Sequence, residues 1–135
     1  MRYLADTSAL VRIWRKQVDP AWREIASRGL IVLSEPVLTE TLLAADAKRY
    51  AEVEEQFYNL YPVAAIPDGI GKLTAVIRRE LALHSAHQGL SFTDVLVAAM
   101  AIRLTLEVLH EDADFETVAR FVPELRQRRI SANPE

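Results

Sequence analysis

The stretch "VLHEDADF", residues 108–115, holds the transition on which the fold turns. An apolar run with the pattern of a buried strand ends at His110, and a helical pattern, "ADFETVARF" (113–121), follows at once. A strand running straight into a helix is half of a crossover unit, and strands joined by crossovers lie parallel. The junction itself packs a histidine and three acids into the five positions 110–114. Carboxylates placed together repel, and one of them takes up a proton unless a cation neutralises the group. These acids therefore either face water or belong beside something positive.

The same alternation runs outward through the chain. "RYLAD" (2–6), "LIVLS" (30–34), "VAAI" (63–66) and "LEVLH" (106–110) read as short strands, and "RRIS" (128–131) as a weak fifth. Helical patterns lie between them. "TSALVRIWRK" (7–16) begins with hydroxyl caps, "SEPVLTETLLAADA" (34–47) has Ser34 as cap with Pro36 in the first turn, and "YAEVEEQFYNLY" (50–61) precedes Pro62. "IGKLTAVIRRELALHSAHQG" (70–89) is expected to stop at Gly89, and "SFTDVLVAAMAIRL" (91–104) starts with Ser91 as cap and Asp94 three residues on. The pattern predicts one three-layer α/β domain over residues 1–135: a parallel sheet of four to five strands flanked by helices, with no linkers, repeats or low-complexity segments.

Composition sets the bounds. The 135 residues, 50% hydrophobic and 26% charged, fit one globular domain and exclude disordered and fibrous classes. No apolar run approaches the ~18 residues of a membrane span. "MRYLADTSAL" has an acid where a signal peptide would have its apolar centre, so a soluble, cytoplasmic protein is expected. The absence of cysteine removes disulfide frameworks and thiolate metal sites. A net charge of −3 leaves no global basic field to attract nucleic acid.

The expected architecture gives the acids an address. In open parallel sheets, ligands bind in the crevice beyond the carboxyl ends of the strands. Asp6 sits at the end of the first strand, and Asp112 and Asp114 follow the strand at 106–110, so two strands deliver carboxylates to one rim. Glu40 lies three residues after Val37 and four before Ala44, on the face those residues direct inward. Asp94 opens a helix whose body, "VLVAAMAI", is apolar on every side, which places its start deep in the domain. Each acid also has an ordinary role. Asp6 suits an N-cap, Asp94 with Ser91 a capping box, and Asp112 and Asp114 a turn and cap, while Glu40 has Lys48 and Arg49 within reach. Four such roles together would still leave carboxylates converging on one side of a sheet without a counter-charge.

Other chemistries find less support. His84 and His87 stand three apart on one helix, far in sequence from the acids, with no H-E-x-x-H or G-x-S-x-G arrangement. They read as surface or amphipathic positions, and His110 as a strand-end histidine stabilised by neighbouring carboxylates. "GIGK" lacks the spacing of a phosphate-cradling loop. Setting aside Asp6, Glu40, Asp94 and Asp112 moves the net charge from −3 to +1, so the negative balance is largely these acids. Arg12, Arg15 and Lys16 follow Asp6 on one helix, where they either grip phosphates or form a solvated face, with Trp14 read as core. Arg126, Arg128 and Arg129 form a second basic cluster with the same two readings.

"RYLADTSAL", "EPVLTETL", "LSFTDVLVAAMA" and "VLHEDADF", in this order and spacing, resemble the four acidic segments of PIN-domain ribonucleases, and in particular the VapC-type toxins of bacterial toxin–antitoxin pairs. The resemblance spans residue 2 to about 121. It places Asp6, Glu40, Asp94 and Asp112 on the family's acidic quartet, Asp114 on an additional acid beside it, and Thr7 or Ser8 on a hydroxyl position next to the first acid. One departure is "RLTLE" (103–107), where many relatives have a glycine turn.

What the resemblance implies agrees with the residue types. Hard oxygen ligands suit Mg²⁺ or Mn²⁺, which would orient and activate a water and stabilise the charge that develops on a phosphodiester. Asp6 and Asp112 are then expected as direct ligands, Asp94 as a ligand directly or through water, Asp114 as a further metal-site acid, and Glu40 as the positioner of the attacking water. The function so implied is metal-dependent endoribonuclease activity on cellular RNA, such as tRNA or another structured RNA, held in check by a VapB-like antitoxin. A homodimer is implied as well. The antitoxin is expected to lay an apolar helix between the helices at 35–46 and 48–61 and to place an arginine among the acids. Two rivals differ in class. A catalytically silent PIN-like module would bind RNA or protein without cleavage, and a phosphoacceptor domain of the receiver type would need a lysine at the end of a late strand, where "RRIS" offers arginine.

Overall fold

The computed structural model describes residues 2–134. Its centre is built from the two most apolar short segments, Tyr3–Ala5 (β1) and Glu107–His110 (β3), whose residues are buried at all but one position. Ile31–Val32 (β2) flanks β1, and Arg126–Arg129 (β4) flanks β3. The order is β2-β1-β3-β4 and every pairing is parallel. Ala5 pairs with Leu109 and His110 with Arg129, so the carboxyl ends of the strands finish level along one rim. Strands covered on both faces read as continuous apolar runs, as β1 and most of β3 do. The edge strand β4, "RQRR", carries charge that deters pairing with another chain, and it sits two residues earlier than the expected 128–131.

Among the described residues, seven α-helices flank the sheet. Thr7–Trp14 (α1) packs on β1, β3 and Glu35–Leu42 (α3), and α3 packs on Tyr50–Leu60 (α4). Ile70–Leu83 (α5), Phe92–Leu104 (α6) and Ala113–Phe121 (α7) pack on one another, with α6 against β3 and α7 against β4. As its all-round apolar sequence requires, α6 buries six consecutive residues from Leu96 to Ala101. No described helix is long and apolar enough to cross a membrane.

Several expectations are corrected. The strand at 63–66 reduces to one bridge between Leu33 and Val63, in which the Ala64 amide donates to the Leu33 carbonyl at 2.8 Å. Pro62 and Pro67 bracket the segment, and Val63 and Ile66 stay exposed, so no burial holds a longer pairing together. The helix expected to reach Gly89 ends at Leu83, with Ser85 in the left-handed region (φ 54°). Pro20–Ser27 (α2) is a helix the apolar period did not predict, although Asp19 caps it and Pro20 fills its first position. It is anchored by the buried Trp22, which meets Tyr3 edge-on at 5.3 Å and donates Nε1–H to the Ile130 carbonyl at 2.9 Å. Where relatives are expected to have a glycine turn, Thr105 itself takes the left-handed conformation (φ 55°, ψ 48°) at the end of α6.

Candidate metal centre

The chain leaves β1 toward one neighbour, β2, and leaves β3 toward the other, β4, so the switch in strand order falls between β1 and β3. A crevice opens beyond the carboxyl ends of strands at such a switch. Asp6 and Asp112 follow those two strands. The Asp6 amide donates to the Leu109 carbonyl at 3.0 Å, which extends the ladder and fixes the first acid against β3. Asp6 is only 4% exposed, and its carboxylate accepts from the Ala9 amide at 2.9 Å and from Ser8 Oγ at 2.7 and 2.9 Å. Ser8 Oγ in turn accepts the Glu111 amide at 2.9 Å, tying the start of α1 to the turn after β3.

Asp94 enters from α6 as the third helical residue, its amide donating to the Ser91 cap at 3.1 Å. Asp112 caps α7, accepting the Asp114 amide at 2.9 Å. One carboxylate oxygen from each of Asp6, Asp94 and Asp112 lies within 4.8 Å of the others. The ordinary and functional roles thus coincide: all three acids sit at helix N-termini, where amides and dipoles favour negative charge. That support does not fully offset burial. Burial raises the Asp6 pKa to about 6 against the hydrogen bonds from Ala9 and Ser8, with the Asp94 charge adding to the rise. Asp94 is raised as well, first by burial and then by the charges of Asp112 and Asp114, against hydrogen bonds from Ser91.

The other expected acids stand outside this trio. Asp114 is half-buried, and burial followed by the Asp112 charge raises its pKa. Glu40 does not point inward as expected. The buried face of α3 consists of Val37, Leu38, Thr41 and Leu42, while Glu40 and Ala44 are exposed. The hydroxyl of Thr7, next to Asp6, nevertheless donates to Glu40 Oε1 at 2.8 Å and keeps it at the edge of the crevice.

Part of the crowding at 110–114 is answered from within the protein. Arg129 Nη1 donates to Glu111 at 2.9 Å, while its Nε and Nη2 hold both oxygens of Glu116 at 3.1 and 2.7 Å. Burial works to raise the Glu111 pKa, but hydrogen bonds from Ser131 and Arg129 hold it low. The basic cluster near the C-terminus is therefore largely tied up, with Arg128 near Glu107 at 3.7 Å and Arg126 donating to the Thr105 carbonyl at 3.2 Å. His110 is also corrected. Its ring is buried, Nδ1 accepts the Asp112 amide at 3.0 Å, and Nε2 meets Gln127 Oε1 at 2.6 Å. This network assigns the neutral tautomer with the proton on Nε2. Burial lowers its pKa, so no neighbouring carboxylate holds it charged. Ser8, Gln127 and Arg129 thus join the site as residues that orient its acids.

An all-oxygen donor set in which burial raises the pKa of Asp6 and Asp94 fits a hard divalent cation, which would remove the repulsion that the N-terminal amides leave. An apolar groove of about 340 Å³ is walled by Ile13 and Trp14 of α1, Ala26 of α2, Phe57 and Leu60 of α4 and Tyr61 just after it, and no residue of α3 lines it.

Fold and site define a class: an α/β protein with an all-parallel sheet and a carboxylate cluster at its switch point. The PIN domain family matches residues 3–121, and the chain belongs to that family. Ribonuclease VapC2 of Mycobacterium tuberculosis is 30% identical over 135 residues, covering 98% of this chain and 96% of the relative. VapC ribonuclease Mb1587 of Mycobacterium bovis is 32% identical over 122 residues, covering 87% and 91%. Among solved structures, the DNA-bound VapBC from Salmonella typhimurium superposes with a TM-score of 0.78 at 19% identity, covering 96% of this chain and 98% of that one.

Proposed function

We propose that the protein is a divalent-metal-dependent endoribonuclease of the VapC type, the toxin of a toxin–antitoxin pair. The observation that carries this reading is the convergence of Asp6, Asp94 and Asp112 oxygens within 4.8 Å at the switch point of a PIN-domain sheet. Asp6 and Asp112 would hold Mg²⁺ or Mn²⁺ directly, with Asp94 completing the site directly or through water and Asp114 beside it. When bound, the cation would supply charge to the phosphodiester and polarise the attacking water. The protein's own groups do the positioning. Ser8 and the Ala9 amide fix both oxygens of Asp6, and His110, held by Gln127, sets the amide of Asp112. Glu40, to which the Thr7 hydroxyl donates, would orient a water.

The names of the relatives support RNA as substrate, and the solved complexes with VapB support an antitoxin partner. The groove between α1, α2 and α4 suits the apolar face of such a partner's helix. An arginine from it would neutralise the acids in place of the cation, and a homodimer completes the assembly proposed here.

Asp6→Asn and Asp94→Asn keep side-chain size and remove ligand charge. Each is expected to lower cleavage of RNA in Mg²⁺ or Mn²⁺ by roughly 10²–10³-fold, the scale of about 3–4 kcal/mol of lost transition-state stabilisation, with the fold retained by circular dichroism. Parent-like cleavage by either variant would refute its assigned role. A parent protein that binds RNA but never cleaves it would favour the silent binding module instead.

A further inference from the structure

Next to the acidic crevice lies a second, polar one of about 460 Å³, lined by Arg12, Lys16 and Gln17 on one side and Glu111, Ser131 and Asn133 on the other. Arg12 Nη1 donates to the Ser8 carbonyl at 3.0 Å, which holds the guanidinium one helical turn from the residue that clamps Asp6. Lys16 stands just beyond α1 in the left-handed region (φ 58°), where the chain folds back so that the Gln17 amide reaches the Arg12 carbonyl at 2.8 Å. Two acids border this crevice as well. Asp19 caps α2 through the Ala21 amide at 2.9 Å, and Glu111 is held by Arg129 at 2.9 Å and by the Ser131 amide at 3.0 Å. Among the described residues, neither Arg12 nor Lys16 has a carboxylate within ion-pair distance. Two cations outside any ion pair therefore face a crevice that also holds Asp19 and the Arg129-paired Glu111, and its wall at Glu111 adjoins Asp112 in the chain.

We propose that this crevice is a phosphate subsite, which takes the phosphodiester next to the scissile one in a single-stranded stretch of RNA. The inference rests on the ribonuclease reading and extends it. Arg12 offers a planar fork to two phosphate oxygens, and Lys16 adds a compact second charge. Gln17, Ser131 and Asn133 supply neutral polar groups of the kind that bind sugar and phosphate oxygens. An RNA strand is favoured over an acidic peptide because two walls of the crevice adjoin the carboxylate site, Arg12 through Ser8, which holds Asp6, and Glu111 as the residue before Asp112. Its role is to set the register of the strand across Asp6 and Asp112.

The test compares the full-length parent with Arg12→Gln/Lys16→Gln and with Lys16→Gln alone, the exposed lysine guarding against a folding defect in the double variant. All proteins carry Asp94→Asn for binding measurements with a single-stranded oligoribonucleotide over a range of salt. Each cation removed from a bound phosphate should lower the slope of log affinity against log salt by roughly 0.7, hence by about 1.4 in the double variant. With Asp94 restored, KM should rise by about tenfold or more while kcat changes by less than about twofold, and a dinucleotide with its single phosphodiester should not distinguish parent from variant. An unchanged slope and KM in a folded variant would overturn the subsite. So would intact RNA parameters together with failure to bind the protein encoded beside this chain, because the crevice would then belong to a protein partner. If the parent cleaves no RNA but the slope still falls, the ribonuclease reading fails and the phosphate subsite stands.

Discussion

At the scale of single residues, Asp6 serves opposed demands. Its backbone completes the sheet and its side chain caps a helix, both of which favour burial, yet burial raises its pKa to about 6. In the metal-free protein, folded Asp6 keeps its proton up to about pH 6, whereas the unfolded chain releases it near pH 3.8. The folded state binds the extra proton between those values, so stability falls as pH rises through the window. At 1.36 kcal/mol per pKa unit, the loss is about 3 kcal/mol. Asp6→Asn has no charge to bury. In chelator at pH 7.5 it should melt above the parent, and the two should converge near pH 4; a variant less stable than the parent at pH 7.5 would contradict this account. The same proton competes with the cation, so calorimetric Mg²⁺ or Mn²⁺ affinity should drop about tenfold per unit below pH 6 and level off above it. Asp6, Asp94 and Asp112 were legible in the sequence because each stands where an expected strand or helix begins or ends. Arg129 was not, since its pairing with Glu111 and Glu116 depends on β4 lying beside β3, an order that local periodicity does not contain.

Among the elements, the junction from α6 to β3 carries a local cost that can be relieved. Thr105 is β-branched and exposed, and it holds a left-handed conformation that costs a non-glycine residue about 1–2 kcal/mol. Thr105→Gly removes that strain and gives back roughly 0.4–1 kcal/mol through the freer unfolded chain. The first effect is larger, and the Thr105 carbonyl still accepts from Arg126. Thermal melts should therefore show the variant more stable by up to about 1 kcal/mol with RNA cleavage unchanged; a lower melting temperature would mean that the turn is not strained. The departure from a glycine turn was legible in "RLTLE", but whether the turn would change shape was not. Here Thr105 takes the left-handed conformation that a glycine adopts freely, and the residue bears the cost. Other misreadings have equally local causes. The apolar run 63–66 lacks burial between two prolines, so its composition promised more strand than packing supports. α2 is short and only Trp22 and Ala26 are buried in it, too few to produce a clear helical period, although the Asp19–Pro20 start signal was present.

Over the whole molecule, three helix N-termini from distant parts of the chain aim carboxylates at one point, and this makes the centre a fastening between α1, α6 and α7. A ligand that binds only the folded state stabilises it by about 2.7 kcal/mol at a concentration of 100 times its Kd. For a chain of this length that corresponds to roughly 10 °C in melting temperature, given about 4 °C per kcal/mol. Saturating Mg²⁺ or Mn²⁺ should produce a rise of this order over chelator. Asp112→Asn separates fastening from capping. Asparagine caps a helix about as well as aspartate, so α7 and the metal-free stability should survive, while the missing charge weakens the cation. The expected result is a metal-free melting temperature close to that of the parent and a metal-induced rise reduced by more than half. If the parent melts identically in metal and in chelator, the three acids do not form a metal centre. If Asp112→Asn instead loses its metal-free stability and keeps the full metal-induced rise, Asp112 is a structural cap alone, and the cation is held by Asp6 and Asp94 without it.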